Sequence, residues 1–144
     1  TAVEVCCSLL DNEALIVAGD VSMQMSHLSL QCLDTHREGR WAHLLAELRA
    51  LDGQQVLVLV QTGATAGVLE HGLRMMDFSC LALPPCEPDP KACGAALQSF
   101  HEQAVQILIM THASAVGLDF PGLGTVLCYD TPADPFQRVH SAGR

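Results

Sequence analysis

Apolar residues in this chain form short runs that alternate with longer stretches of helical periodicity. The run at 56–60 contains only Val and Leu, which is typical of a strand buried on both faces. Further apolar runs predict strands at 28–33, 78–83, 106–110 and 125–129. Apolar residues at helical spacing predict helices at 37–50, 65–76, 90–101 and 134–140. This alternation predicts a three-layer α/β domain with a mostly parallel sheet and helices on both faces.

The first 20 residues depart from this alternation. Residues 3–10 are compatible with a helix and residues 14–18 with a strand, and a polar stretch follows. The change predicts a boundary near 19–27, with residues 1–20 as the tail or linker of a preceding domain and residues 28–144 as the α/β domain. Because the chain starts without Met and stops inside a readable motif, we expect it to be a fragment of a longer protein.

Composition indicates a folded domain with an aliphatic core. Of the 144 residues, 49% are hydrophobic and 4% are aromatic, so the core must come mainly from Leu, Val, Ile and Ala. No apolar run approaches the ~20 residues that a bilayer span requires, and no signal-peptide pattern begins the chain. We therefore expect a soluble protein with no membrane partner.

The charge balance argues against strong independent binding of nucleic acid. Acidic residues number 16 and Lys plus Arg only 7, for a net charge of −9. Phosphate contacts supply much of the affinity for nucleic acid, and a chain this acidic is a poor binder by its overall field. The acidity also has a simpler interpretation, which is solubility alone.

The seven cysteines predict buried thiols in a reducing compartment. Their number is odd, no Cys-x-x-Cys pair occurs, and most lie within apolar stretches. We expect a cytoplasmic protein, and a nuclear location also fits. The group Cys80, Cys86, Cys93 and His101 lacks a known zinc spacing, so no metal site is predicted.

Candidate chemistry lies directly after the strands, because ligands of open parallel sheets bind outside the carboxyl ends of the strands. These segments are 61–65, 111–119 and 130–132, with 140–144 further along. The chain has no Gly-x-x-x-x-Gly-Lys-Ser/Thr loop that could hold phosphates and Mg²⁺, and no Gly-x-Ser-x-Gly elbow. On its own, the fragment is predicted to be catalytically inactive and to bind neither ATP nor RNA tightly.

Residues 105–144 resemble the end of the second RecA-like lobe of DEAD-box RNA helicases. That family carries Thr-Asp-x-x-Ala-Arg-Gly-Leu-Asp after a strand, then a strand ending in Tyr-Asp-x-Pro, then His-Arg-x-Gly-Arg. Here Thr-His stands at 111–112, Ala-Val-Gly-Leu-Asp at 115–119, Tyr-Asp-Thr-Pro at 129–132 and His-Ser-Ala-Gly-Arg at 140–144. The likeness extends more loosely upstream over 28–104, where 56–62 is similar to the family's strand ending in Asn-Thr.

The resemblance implies a RecA-like fold and a role for several residues. Contacts to the RNA backbone fall to four residues near strand ends: Gln61, Thr62, Gly63 and Thr111. Gly117 and Asp119 would bind the nucleotide, and Arg144 would be the catalytic arginine that reaches the γ-phosphate. ATP with Mg²⁺ would be held mainly by a first lobe in the same chain, and single-stranded RNA and other proteins would be further partners.

Departures from the family pattern remove charges. His112 stands where the family has Asp, Val116 where it has Arg, and Ser141 where it has the first Arg of the last motif. Val cannot reproduce the guanidinium contacts of Arg. These changes predict a lobe with eroded motifs that serves as an RNA or protein docking module. Tudor-domain proteins of germline small-RNA pathways are one class of protein to which such a lobe could belong. The alternative is a working lobe of an ATP-dependent RNA helicase, and a third hypothesis is an unrelated α/β binding domain.

Each assigned residue also has a purely structural interpretation. Asp119 could cap local N–H groups in a turn, and Arg144 could be a surface arginine. Thr62 and Thr111 could merely satisfy backbone groups, and His112 could be a hydrogen-bonding loop residue.

Overall fold

The structure, a computed structural model, describes residues 3–9, 28–34, 39–83, 90–116, 118, 120 and 122–130. Its strands are β1 (Val3–Leu9), β2 (Leu28–Asp34), β3 (Val56–Val60), β4 (Cys80–Ala82), β5 (Ile107–Thr111) and β6 (Thr125–Cys128). Its helices are α1 (Arg40–Ala50), α2 (Gly63–Met75), α3 (Pro90–His101) and α4 (His112–Ala115). Within these ranges the strands form one sheet in the order β2-β1-β6-β3-β5-β4, and every neighbouring pair is parallel. The predicted α/β class is confirmed.

Helices cover both faces of the sheet, because side chains alternate between the faces along each strand. Val56, Val58 and Val60 of β3 pack with leucines of α1 and α2 on one face. Leu57 and Leu59 pack with residues of α3 and α4 on the other face. Each of these five side chains is fully buried. Burial stabilises the fold by about 1.5–3 kcal/mol for each such side chain, which makes β3 the centre of the core.

Helix α2 differs from the prediction in its start and in its buried face. It begins at Gly63 rather than at 65, because the hydroxyl of Thr62 caps it. Helical spacing groups Val68 and Met76 on one side with Leu69 and Leu73, but Val68 and Met76 are exposed. The buried face instead consists of three residues that point at the valines of β3: Ala66, Leu69 and Leu73.

Strand β4 is shorter than predicted because the end of α2 occupies the residues before it. Asp77 takes a left-handed φ of 64°, and the N–H of Phe78 donates to the carbonyl of Leu73 at 3.0 Å. This hydrogen bond closes the last turn of the helix. The strand therefore begins at Cys80 instead of 78.

The prediction of a helix at 3–10 is wrong, because Val3–Leu9 is the strand β1. The alternation of Val3, Val5 and Cys7 with Glu4 and Ser8 has the period of a strand. β1 pairs with β2 and β6, so it shares the sheet of the later strands rather than standing apart from them. β2 lies at the edge of the sheet as predicted.

Three predicted features fall outside the described residues: the strand 14–18, the boundary at 19–27 and the helix 134–140. The division of the chain into domains therefore stays a prediction.

A topological switch point lies between β3 and β5, which are neighbours in the sheet. The chain leaves β3 into α2, which packs on one face, and leaves β5 into α4, which packs on the other. The loops that follow these two strands therefore lead to helices on opposite faces of the sheet. Ligands of open α/β sheets bind at such a point.

Candidate functional site

Each loop at the switch point begins with a threonine that caps the next helix. The Oγ1 of Thr62 accepts a hydrogen bond from the N–H of Thr65 at 3.1 Å, and the Oγ1 of Thr111 accepts one from the N–H of Ser114 at 3.1 Å. Thr62 is exposed, whereas Thr111 is 7% exposed. Thr62 can therefore meet a ligand while it caps α2, and Thr111 mainly supports the loop behind it.

The remaining RNA-site candidates lie in the same loop as Thr62. Gln61 is exposed, and Gly63 is half-buried at the start of α2. The backbone N–H of Gln61 donates to Oδ2 of Asp130 at 3.1 Å. The carboxylate of Asp130, just past the carboxyl end of β6, thus holds the backbone of the loop that follows β3.

Asp130 also forms an ion pair with Arg40, the first residue of α1. The guanidinium Nη1 lies 2.8 Å from Oδ1 of Asp130, and the two side chains are 9% and 18% exposed. The guanidinium carbon of Arg40 lies 6.0 Å from the ring centroid of Tyr129, within cation–π range. Among the described residues, the Nε of Arg40 has no hydrogen-bond partner, so this buried cation is incompletely satisfied.

His112 contacts the backbone of the same residue. Its Nε2 lies 2.7 Å from the carbonyl oxygen of Asp130, and its side chain is almost fully buried. A carbonyl can only accept, so Nε2 carries the proton. Burial lowers the pKa of His112 from its ordinary value of 6.5, against the opposing effects of the hydrogen bond to Asp130 and of its negative charge. His112 is therefore neutral at pH 7 and serves as a hydrogen-bond donor.

The residues predicted to bind nucleotide are not among those described. Gly117, Asp119 and Arg144 fall outside the described ranges, so their predicted grouping with Thr62 and Thr111 stays a prediction. Val116, at the end of α4, is 60% exposed. An apolar side chain thus projects to solvent at the position where the resemblance expects an arginine.

Sequence reasoning missed the part played by Arg40. The predicted helix at 37–50 includes Arg40 without giving it a role, although a cation in the first turn of a helix opposes the helix dipole. That unfavourable position was a usable signal that an acidic partner lies nearby. Asp130 was noted as part of Tyr-Asp-Thr-Pro at 129–132, but its link to α1 spans 90 positions and leaves no local pattern.

The structure also has a cavity of about 450 Å³, at the opposite, amino edge of the sheet. Its lining is uncharged and consists of amides, glycines and one valine: Gly53, Gln54, Gln55, Gln103, Val105, Gln106, Gly122 and Gly124. Thr62 and Thr111, for which the sequence predicts phosphate contacts, lie instead at the carboxyl edge, the end of the sheet where the capping threonines adjoin Arg40 and Asp130. Among the described residues, no helix has the length and apolar character needed to cross a membrane.

Comparison with known proteins identifies the family. The model of the helicase conserved C-terminal domain matches residues 39–144. The chain belongs to this family. Proteins named ATP-dependent RNA helicase dbp8 from Botryotinia fuckeliana and Sclerotinia sclerotiorum are 31% and 30% identical to this helicase domain over 135 residues. Each match covers 94% of the chain and 24% of the relative, so the chain spans about a quarter of these proteins.

Solved structures of DEAD-box proteins share the fold of this helicase domain. A DEAD box protein from Methanococcus jannaschii has a TM-score of 0.68 at 20% identity and covers 83% of this chain and 36% of its own. E. coli SrmB bound to regulator of ribonuclease activity A has a TM-score of 0.66 at 19% identity, and the match covers 99% of this chain and 68% of the solved one. S. cerevisiae Dbp5 bound to RNA and ADP BeF3 has a TM-score of 0.66 at 20% identity, and the match covers 99% of this chain and 31% of the solved one. The expected RecA-like fold is confirmed, as is the resemblance to a DEAD-box C-terminal lobe.

Proposed function

We propose that this chain is the second RecA-like lobe of an ATP-dependent RNA helicase and that its carboxyl edge contacts the RNA backbone. The observation that carries the proposal is the exposed Thr62 at the start of α2, beside the switch point of the sheet. Free N–H groups and the positive end of the helix dipole favour a phosphate there. Gln61 and Gly63 flank this position, and Thr111 supports it from the neighbouring strand. Contacts of this kind position nucleic acid without reading its sequence.

Nucleotide binding is the second part of the same proposal. Gly117 and Asp119 would contact the nucleotide, with Asp119 at its ribose, and Arg144 would approach the γ-phosphate from this lobe. Arg40 is not a candidate for that role, because Asp130 already neutralises it. ATP with Mg²⁺ would be held mainly by a first lobe of the full-length protein, which this lobe would face across a cleft. The relatives named as ATP-dependent RNA helicases support this arrangement.

RNA binding by the full-length protein tests the role of Thr62 through a charge change that keeps the helix cap. Asp and Asn both cap helices well, so Thr62→Asp and Thr62→Asn should preserve α2. Only the aspartate places a negative charge at the proposed phosphate position. We expect Thr62→Asn to bind single-stranded RNA close to normally and Thr62→Asp to bind at least about tenfold more weakly, since about 1.4 kcal/mol of repulsion has that effect. Equal affinities of the two variants would overturn the RNA contact.

A second candidate function is a docking module whose helicase motifs are eroded. The exposed Val116 and the buried, neutral His112 favour it, because neither can supply the charge expected from the family pattern. ATP hydrolysis by the full-length protein, with and without RNA, separates the two functions. RNA-stimulated turnover would support the working helicase. No turnover, followed by a gain on Val116→Arg with Ser141→Arg, would support an eroded lobe that lacks only those charges.

Two finer predictions accompany the docking-module candidate. The link to Tudor-domain proteins of germline small-RNA pathways finds no support in the relatives named above and stays a hypothesis. A cytoplasmic location is proposed on the cysteines, since Cys80 is buried and remains a thiol, as a reducing compartment would maintain it. Fractionation of cells that express the full-length protein would test the location.

A further inference from the structure

We infer that Asp130 is a positioning residue for the RNA-contact loop 61–63, and that Arg40 cancels its charge so that the loop can receive phosphate. This role depends on the RNA contact proposed above. Asp130 and Arg40 would not touch RNA themselves. They would set the backbone of Gln61 and thereby the start of α2.

The two carboxylate oxygens of Asp130 serve different elements. Oδ1 accepts from Arg40 at the start of α1 at 2.8 Å, and Oδ2 accepts from the N–H of Gln61 after β3 at 3.1 Å. The carbonyl of the same residue contacts His112 after β5 at 2.7 Å. Asp130 itself follows β6, so one residue ties together the segments that adjoin three neighbouring strands and one helix. Fixing this loop before RNA arrives reduces the ordering that binding would otherwise require.

The position of the carboxylate raises an electrostatic problem that Arg40 solves. A bare aspartate beside Gln61 would repel a phosphate at the start of α2. The guanidinium of Arg40 lies against that carboxylate and is itself 9% exposed, so the pair presents little net charge to a ligand. Both side chains are largely shielded from water. Electrostatic interactions are weakened less at such sites than in water, so an unpaired Asp130 would act strongly on its surroundings.

This arrangement predicts an order of RNA affinities among variants of the full-length protein. Arg40→Gln leaves Asp130 uncompensated, and we expect about a tenfold loss of affinity for single-stranded RNA, which corresponds to about 1.4 kcal/mol. Arg40→Gln combined with Asp130→Asn removes the uncompensated charge, and the Asn oxygen can still accept from the N–H of Gln61. The double variant should therefore bind RNA more tightly than Arg40→Gln alone.

Arg74→Gln is the matched control. It makes the same chemical change and breaks the ion pair between Arg74 and Glu70 on α2, in which the nitrogen and oxygen lie 2.7 Å apart. This pair lies away from the loop 61–63. We expect its RNA affinity to stay near normal. Amide hydrogen exchange of the segment 61–65, measured by mass spectrometry without RNA, should accelerate in Arg40→Gln and not in Arg74→Gln. All affinities are compared well below the unfolding temperature of every variant, so that a general loss of stability does not enter.

The possible outcomes separate the inference from the proposed function. If the unaltered protein binds RNA and Arg40→Gln binds it equally well, or no worse than Arg74→Gln, the positioning role is overturned alone. A double variant that binds no better than Arg40→Gln also overturns it, because charge compensation would then be irrelevant. Failure of the unaltered protein to bind single-stranded RNA overturns the proposed function, and the RNA role of the loop with it.

Discussion

The carboxyl and amino edges of the sheet use different polar chemistry. At the carboxyl edge, the charged pair of Arg40 and Asp130 lies beside helix starts. At the amino edge, Gln55 donates to the carbonyl of Phe100 near the end of α3, and Gln106 donates to that of Leu51 just after α1. Neutral amides suffice where the unpaired groups are carbonyls of helix ends, since each needs only a donor. Helix starts leave N–H groups free, so the carboxyl edge suits an anion and the amino edge does not.

The largest expected effect comes from removing the cation of the carboxyl edge. Arg40→Ala leaves a largely buried carboxylate without its ion partner and removes the guanidinium from the ring of Tyr129. We expect the free energy of unfolding to fall by about 2–3 kcal/mol, because hydrogen bonds to charged groups contribute about 1.5–3 kcal/mol. The loss of about 3–5 kcal/mol on breaking a fully buried pair is an upper bound, since the Asp130 side chain is 18% exposed. Gln54→Ala at the amino edge, where the side chain is exposed, should change it by less than about 0.5 kcal/mol. Urea denaturation measures both, and similar losses would remove the contrast between the edges.

Packing between α1 and α2 sets the next largest effect. A Cβ at Gly72 would lie 2.7 Å from the ring of Trp41, the residue after Arg40, whereas a Cβ at Gly67 would meet nothing within 4 Å. Gly72→Ala should therefore displace Trp41 and lower the free energy of unfolding by about 1–3 kcal/mol. Gly67→Ala should raise it by about 1 kcal/mol, because Ala favours a helix more than Gly does. Thermal unfolding of the pair checks this, and a loss of stability in both would show that the exposed face of α2 is packed as well.

The sequence predicted what repeats locally and missed what depends on distant contacts. The apolar run at 56–60 identified β3 because a strand buried on both faces excludes polar residues over its whole length. Periodicity did not reveal that Val68 faces solvent, because nearby positions on a helix also carry apolar residues. The capping threonines were located by their place after strands. The ion pair between Arg40 and Asp130 joins positions far apart in the chain, and only the parallel arrangement of the sheet brings them together.

A smaller, stabilising effect is expected at the amino edge. Gln103 follows α3 with a left-handed φ of 59°, a conformation that costs a residue with a Cβ roughly 1 kcal/mol. Gln103→Gly should raise the free energy of unfolding by about 1 kcal/mol, because glycine adopts this conformation without strain. Gln103→Ala keeps the Cβ and should give no such gain. Chemical denaturation distinguishes them, and equal stabilities would place the strain elsewhere in the turn.

The smallest effect concerns acid and the histidine of the carboxyl edge. Burial lowers the pKa of His112 in the folded state below 6.5, so the unfolded chain takes up its proton first as the pH falls. The stability that depends on neutral His112 is therefore complete above about pH 6.5 and is lost as the pH falls through the lower, folded pKa. His112→Gln retains a side-chain N–H for the carbonyl of Asp130 but does not titrate. Urea denaturation at about pH 7.5 and about pH 5.5 should show that the free energy of unfolding falls more steeply with acid in the unaltered chain than in His112→Gln. The two proteins have all other titratable groups in common, so the difference reports on His112. Parallel losses in the two proteins would mean that the protonation of His112 does not contribute to the acid sensitivity of the fold.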